Sequence, residues 1–89
     1  MYKIVKKEFL TPIICLMDVE APRLAAAAQP GQFLIVRARE QGERIPLTIC
    51  DYNRKNGTVT IVTQIVGASS RLICHLEEGD CFTDLVGPL

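Results

Sequence analysis

Short apolar runs interleaved with polar residues follow one another along most of the chain, and turn-forming residues separate them. Period-two alternation with many β-branched residues is the pattern of half-buried strands. It predicts six strands, at residues 2–10, 13–19, 32–38, 44–51, 58–66 and 81–86. Because short turns join them without βαβ alternation, we expect an antiparallel barrel or sandwich.

Prolines and glycines refine this scheme. Pro46 falls inside the fourth strand and cannot donate to a ladder, so we expect an edge or a bulge there. Asn56-Gly57 favours a type I′ turn leading into the fifth strand. Pro22 should stop the second strand, and the four alanines that follow could form one or two helical turns.

One helix is well marked near the C-terminus. Ser70 can cap it, and Leu72, Ile73 and Leu76 recur at helical spacing. Glu77 and Glu78 end it, on the unfavourable side of the helix dipole. We therefore expect a short helix held by packing.

Length and charge limit the number of domains and the classes of partner that the chain can have. A chain of 89 residues is one domain, here assigned to residues 1–89. Ten basic and ten acidic residues give no net charge, which argues against a nucleic-acid partner and a polybasic membrane anchor. Charged residues interrupt residues 1–10, so no signal peptide is predicted, and no run approaches the ~20 apolar residues of a membrane span. We expect a cytoplasmic protein.

The cysteines do not suggest a metal or redox motif. Cys15, Cys50, Cys74 and Cys81 include no C-x-x-C pair, and His75 is the only histidine. Four free thiols are expected, and no metal site. His75 has no acidic or cysteine partner at a useful spacing, so we interpret it as structural or surface-exposed.

Three segments could carry chemistry. Alternation places Arg44, Pro46 and Thr48 on one strand face, which could contact an anion and a planar polar ring or could be a solvated edge. Residues 64–70 run through small side chains into a helix start, where backbone N–H groups attract phosphate, although an ordinary capped helix has the same pattern. Residues 84–89 end in Gly-Pro-Leu, which is typical of a connection or of a frayed end.

Together these motifs resemble a known family. Residues 30–33 (PGQF), 44–48 (RIPLT), 66–70 (VGASS) and 87–89 (GPL) occur in the order and spacing of the FAD-binding domain of ferredoxin–NADP reductase-like proteins. Nearest in pattern is the branch with the dihydroorotate dehydrogenase electron-transfer subunit, the small subunit of NADH-dependent ferredoxin:NADP oxidoreductase and sulfide dehydrogenase. The resemblance implies an all-β fold, a six-stranded antiparallel Greek-key barrel with one short helix.

The resemblance also implies roles for particular residues. Thr48 would hydrogen-bond the reactive edge of the flavin and is the candidate catalytic residue, while Pro46 and Leu47 would pack on the ring. The remaining positions are implied as flavin-lining, pyrophosphate-binding or junction residues: Arg44, Ile65, Val66, Gly67, Ala68, Ser69, Ser70, Gly87, Pro88 and Leu89. The pattern departs from the wider superfamily, which has Arg-x-Tyr-Ser, because Ile45 takes the arginine position and Leu47 that of the stacking tyrosine.

The family's other parts are not among these residues. Its members continue into an NAD(P)-binding domain and a cysteine-rich [2Fe–2S] segment, so the chain is expected to be a truncated flavin domain that is inactive alone. The implied function is FAD-dependent electron transfer between NAD(P)H and an iron–sulfur partner such as ferredoxin. A homodimer through an exposed domain-facing surface is also expected. The alternative from another class is a cofactor-free β-barrel protein-interaction module.

Overall fold

A computed structural model describes residues 2–89 and shows six strands and two short helices. The strands are β1 (Ile4–Thr11), β2 (Ile14–Glu20), β3 (Phe33–Arg37), β4 (Arg44–Asn53), β5 (Thr58–Gln64) and β6 (Asp84–Val86). The helices are α1 (Pro22–Ala27), between β2 and β3, and α2 (Ala68–His75), between β5 and β6. All six predicted strands are therefore confirmed, with shifted ends.

The strands form one antiparallel sheet in the order β1-β2-β5-β4-β3-β6. An isolated bridge between Lys3 and Cys81 then connects the start of β1 to the segment before β6. Next to it, the Ile4 N–H donates to the Asp80 carbonyl at 2.8 Å. The sheet thus curls into the predicted antiparallel barrel, although the strand ladder between β1 and β6 does not close.

The core lies inside this curl. Alternation turns every second residue of the central strands inward, which explains why Met17, Val36 and Ile61 are almost fully buried. The helices add Leu24 from α1 and Ile73 from α2 to the same cluster. Among the described residues, no helix is long and apolar enough to cross a membrane.

Pro46 lies where the sequence predicts an edge. It pairs with Ile35 of β3, whereas the pairing of β4 with β5 begins only at Ile49. Because Ile49 donates to the Gln32 carbonyl, alternation places Pro46 in a non-hydrogen-bonded pair. The missing N–H of Pro46 therefore costs no hydrogen bond to β3. On the other side of β4, no described strand pairs with Pro46.

The helical turns expected among the four alanines are confirmed as α1, where Pro22 occupies the first turn and a helix requires no N–H donor. One local prediction is wrong. The turn at Asn56-Gly57 is a four-residue loop in which only Gly57 has positive φ, at 70°. Asn53 organises this loop, since its side chain accepts the Asn56 N–H and its carbonyl accepts the Gly57 N–H.

Candidate functional site: a groove between β4 and α2

A surface groove of about 500 Å³ lies between the start of β4 and the start of α2. We call it the α2 groove; its lining residues are Glu43, Arg44, Ile45, Pro46, Val66, Gly67, Ala68, Ser69 and Ser70. The fold thus brings together two segments, 44–48 and 64–70, that the sequence singled out separately.

The first wall is the outer face of β4. Strand alternation exposes Arg44, Pro46 and Thr48 on this face, as predicted, while Leu47 turns inward and packs against the core. Thr48 lies outside the groove lining, two residues along β4 from Pro46. Its neighbour on β3 is Phe33, which is 41% exposed, so an aromatic side chain lies beside Thr48 on this face.

Arg44 already has a partner. One guanidinium nitrogen donates to Asp84 Oδ2 of β6 at 2.6 Å, and about half of the Arg44 side chain remains exposed. This hydrogen bond and the positive charge of Arg44 lower the pKa of the Asp84 carboxyl, with a smaller contribution from Arg37. A guanidinium has five N–H donors, so Arg44 keeps donors for a second anion.

The second wall is the turn from β5 into α2. Gly67 is the N-cap residue, with an extended backbone at φ −174°. A Cβ built there would meet no heavy atom within 4 Å, so the backbone is open to the groove. Val66 is 81% exposed beside it, an unusually high value for an apolar side chain.

Ser70 holds this turn in place from within the helix. Its hydroxyl oxygen accepts the Val66 N–H at 2.8 Å and the Gly67 N–H at 3.0 Å, and its hydroxyl donates to the Gly67 carbonyl at 3.2 Å. The residue is only 7% exposed. Ser70 therefore lies in the first turn of α2 and fastens the chain that precedes it, rather than occupying the N-cap position.

The remaining N-terminal donors of α2 are free. Within residues 2–89, the N–H groups of Ala68, Ser69 and Ser70 have no acceptor, as is usual for the first turn of a helix. The first N–H used in the helix is that of Arg71, which donates to the Gly67 carbonyl at 3.0 Å. These donors and the helix dipole make the groove end attractive to an anion.

Glu43 is a lining residue that sequence reasoning did not assign to the site. Its Oε1 accepts the Ser69 hydroxyl at 2.6 Å, which places a carboxylate beside the first turn of α2. No local pattern could reveal this contact, because 26 residues separate the two partners. Its negative charge opposes an incoming anion at the same place.

The other predicted site residues lie apart from the groove. Ile65 is half-buried against the core. Gly87 lies against β3, where a Cβ would meet Leu34 Cβ at 3.1 Å, and it lines a separate cavity of about 560 Å³ near α1. Pro88 is half-buried, and the following Leu89 exchanges backbone hydrogen bonds with Phe33. The C-terminal segment therefore hydrogen-bonds to β3, and β3 lies between this segment and β4.

Comparison with known proteins gives relatives over the whole chain. No protein-family model matches it. A Clostridium beijerinckii protein from the adh 3′ region is 56% identical over 89 residues, all of this chain and 30% of that protein. A Thermotoga maritima homologue of the dihydroorotate dehydrogenase B electron transfer subunit is 37% identical over 87 residues, 98% of this chain and 31% of the relative.

A solved structure decides the fold. The NADH-dependent reduced ferredoxin-NADP oxidoreductase, described for flavin-based electron bifurcation, matches with a TM-score of 0.96 and 35% identity. The match covers 99% of this chain and 32% of that one. The chain is related, in fold and in sequence, to the ferredoxin reductase-like proteins. The chain spans about a third of the length of the relatives it matches.

Proposed function

We propose that the domain binds FAD and positions it for electron transfer in an oxidoreductase. The observation that carries the proposal is the α2 groove, in which free helix N–H groups and Arg44 adjoin the exposed strand face that carries Pro46 and Thr48. The match to a protein described for flavin-based chemistry supports it, as do relatives named as electron transfer subunits.

The groove fits the pyrophosphate of FAD. Ala68, Ser69 and Ser70 would offer their backbone N–H groups, and the open backbone at Gly67 would allow phosphate oxygens to approach closely. Arg44 would add a charge-assisted donor from β4. In this proposal the hydroxyl of Ser70 positions the loop, because all its hydrogen bonds go to residues 66 and 67.

The outer β4 face fits the flavin ring. Pro46 and the exposed Val66 would contact the ring, and the exposed Thr48 hydroxyl would hydrogen-bond its polar edge. Leu47 and Ile65 would support this face from the core side. When bound, FAD supplies the hydride and electron chemistry, while Thr48 tunes it through that hydrogen bond.

We further propose the setting in which the domain works. Electrons would pass between NAD(P)H and an iron–sulfur partner such as ferredoxin, in the cytoplasm, with NAD(P)H binding and cluster binding provided outside these 89 residues. The names of the relatives support partner subunits in general. Segment 87–89 would lie near the flavin at the junction with the next part of such an assembly, and a homodimer of the domain stays a prediction.

FAD titration of the 89-residue chain tests the proposal, read by quenching of flavin fluorescence and by flavin circular dichroism. Gly67→Val is the matched variant, because a Cβ at Gly67 meets no heavy atom within 4 Å and the residue lines the groove. We expect the wild-type chain to bind FAD, and the variant to bind at least tenfold more weakly with unchanged thermal unfolding. If FAD leaves both signals unchanged in the wild-type chain, the proposal is wrong, and the cofactor-free interaction module becomes the better explanation.

A further inference from the structure

Two of the four thiols are buried together beneath α2. Cys15 lies on the inward face of β2 and Cys74 on the inward face of α2, and their exposed fractions are 1% and 0%. Cys15 pairs with Thr63 across the ladder between β2 and β5, and the Cys74 thiol donates to the Thr63 carbonyl at 3.6 Å. The fold therefore brings two thiols that are distant in sequence to one place in the core.

The two thiols also contact each other. Burial raises the pKa of both, and that of Cys74 to about 11, while their contact lowers the pKa of Cys15 and raises that of Cys74. The charge of Lys7 lowers the pKa of both. In the closed core these thiols stay protonated, whereas Cys50 and Cys81 are exposed to reagents.

The C-terminal turn of α2 controls access to this pair. The helix has eight residues, a length at which stability comes from packing rather than from the helix itself. Cys74 is its penultimate residue, and Leu76 after it already has an extended backbone. Opening of this last turn would expose Cys74 and, beneath it, Cys15.

We propose that Cys15 and Cys74 are a site of reversible oxidation, at which hydrogen peroxide converts the two thiols into a disulfide that fastens the end of α2 to β2. One thiolate attacks a peroxide oxygen, which gives a sulfenic acid and, with the proton of that thiol, one water. The second thiol attacks the sulfenic sulfur, forms the S–S bond and releases the second water. The thiols together lose two electrons, the peroxide gains them, and a thiol reductant reverses the step.

The disulfide would stabilise the domain through the unfolded chain. It closes the loop formed by residues 16–73, and closing a long loop removes more conformational freedom from the unfolded state than closing a short one. In the folded chain it holds the end of the helix whose first turn forms one wall of the α2 groove. We expect oxidation to raise the melting temperature by roughly 5–20 °C and to slow amide hydrogen exchange at residues 71–76.

The test uses Cys50→Ala/Cys81→Ala, which removes both exposed thiols and leaves the core unchanged. Trypsin cleaves after Lys7, Arg23 and Arg71, so each buried cysteine lies in its own peptide, 8–23 or 72–89. After peroxide treatment of the folded variant, these peptides should appear as one species about 2 Da lighter than their sum, and a reductant should separate them.

A further Cys74→Ala change in the same variant is the matched control. It should show neither the cross-link nor the rise in melting temperature. Peroxide treatment of the wild-type chain in urea gives a second comparison, because Cys74 and Cys81 are close in sequence and short loops close most easily. The unfolded chain should therefore form mixed disulfides that include Cys74–Cys81, whereas the folded chain should form Cys15–Cys74.

Two results would overturn the inference. One is a folded Cys50→Ala/Cys81→Ala chain that forms no cross-link at a peroxide dose that oxidises Cys50 in the wild-type chain. The other is an oxidised chain that melts at or below the temperature of the reduced chain. Every measurement is made without flavin, so neither result bears on the proposed function.

Discussion

The Ser70 hydroxyl should stabilise the turn into α2 far more than its neighbour does. Ser69 and Ser70 are adjacent residues of the same helix turn, but the Ser69 hydroxyl donates only to the Glu43 carboxylate at the surface. The Ser70 hydroxyl accepts two backbone N–H groups and is almost fully buried. Alanine substitution at each position therefore isolates the effect of those two acceptor bonds.

The magnitude follows from the two hydrogen bonds that Ser70→Ala removes. Each contributes about 0.5–1.5 kcal/mol net to stability. Serine to alanine also improves helix propensity slightly, but equally at both positions, so this gain cancels in the comparison. We expect Ser70→Ala to lose about 2 kcal/mol relative to Ser69→Ala, a difference in melting temperature of roughly 8–16 °C for a domain of this size.

Urea and thermal unfolding of both variants, followed by far-ultraviolet circular dichroism, measure this difference. Ser70→Thr should keep most of the stability, because it retains the hydroxyl. If the two alanine variants unfold within about 0.5 kcal/mol of each other, a typical value for surface substitutions, the hydroxyl does not organise the turn.

Three other outcomes follow from the site and the core. Glu43→Gln should tighten FAD binding severalfold in fluorescence titration, since it removes a negative charge beside the phosphate position while keeping an acceptor for Ser69. Asp84 has a lowered pKa, so its contribution to stability is present above the unfolded value near 3.9 and is lost as pH falls through the folded value. Asp84→Asn should therefore weaken the acid dependence of urea unfolding. Burial raises the pKa of Cys15, and that of Cys74 to about 11, so a thiol reagent should label two of four cysteines before unfolding and all four afterwards.

Strand positions could be predicted because the alternation of buried and exposed residues is local. In β4, the same alternation correctly placed Arg44, Pro46 and Thr48 on one exposed face. Pro46 correctly indicated a strand free on one side. These predictions need only the chain's own period and the missing proline donor.

Competing local hydrogen bonds and contacts between distant residues explain why one turn and one site residue were not predicted. At Pro22 both expectations hold, since β2 ends at Glu20 and the proline begins α1, whose Leu24 packs on the core. At Asn56-Gly57, the hydrogen bonds of Asn53 favour a longer loop over the two-residue turn. The contact between Glu43 and Ser69 depends on the closed fold, so no sequence window contains it.

The spacing along β4 explains how so small a domain could hold an elongated cofactor. Arg44 and Thr48 lie on the same face four residues apart, about 13 Å in an extended strand, with Pro46 between them. The face therefore offers a cationic end, an apolar middle and a hydrogen-bonding end in one line. A ligand that matches it is anionic at one end, flat and apolar in its middle, and polar at its far edge. Because β4 fixes this spacing through its backbone, substitutions along the face should change affinity and flavin spectrum without changing the register of the sheet.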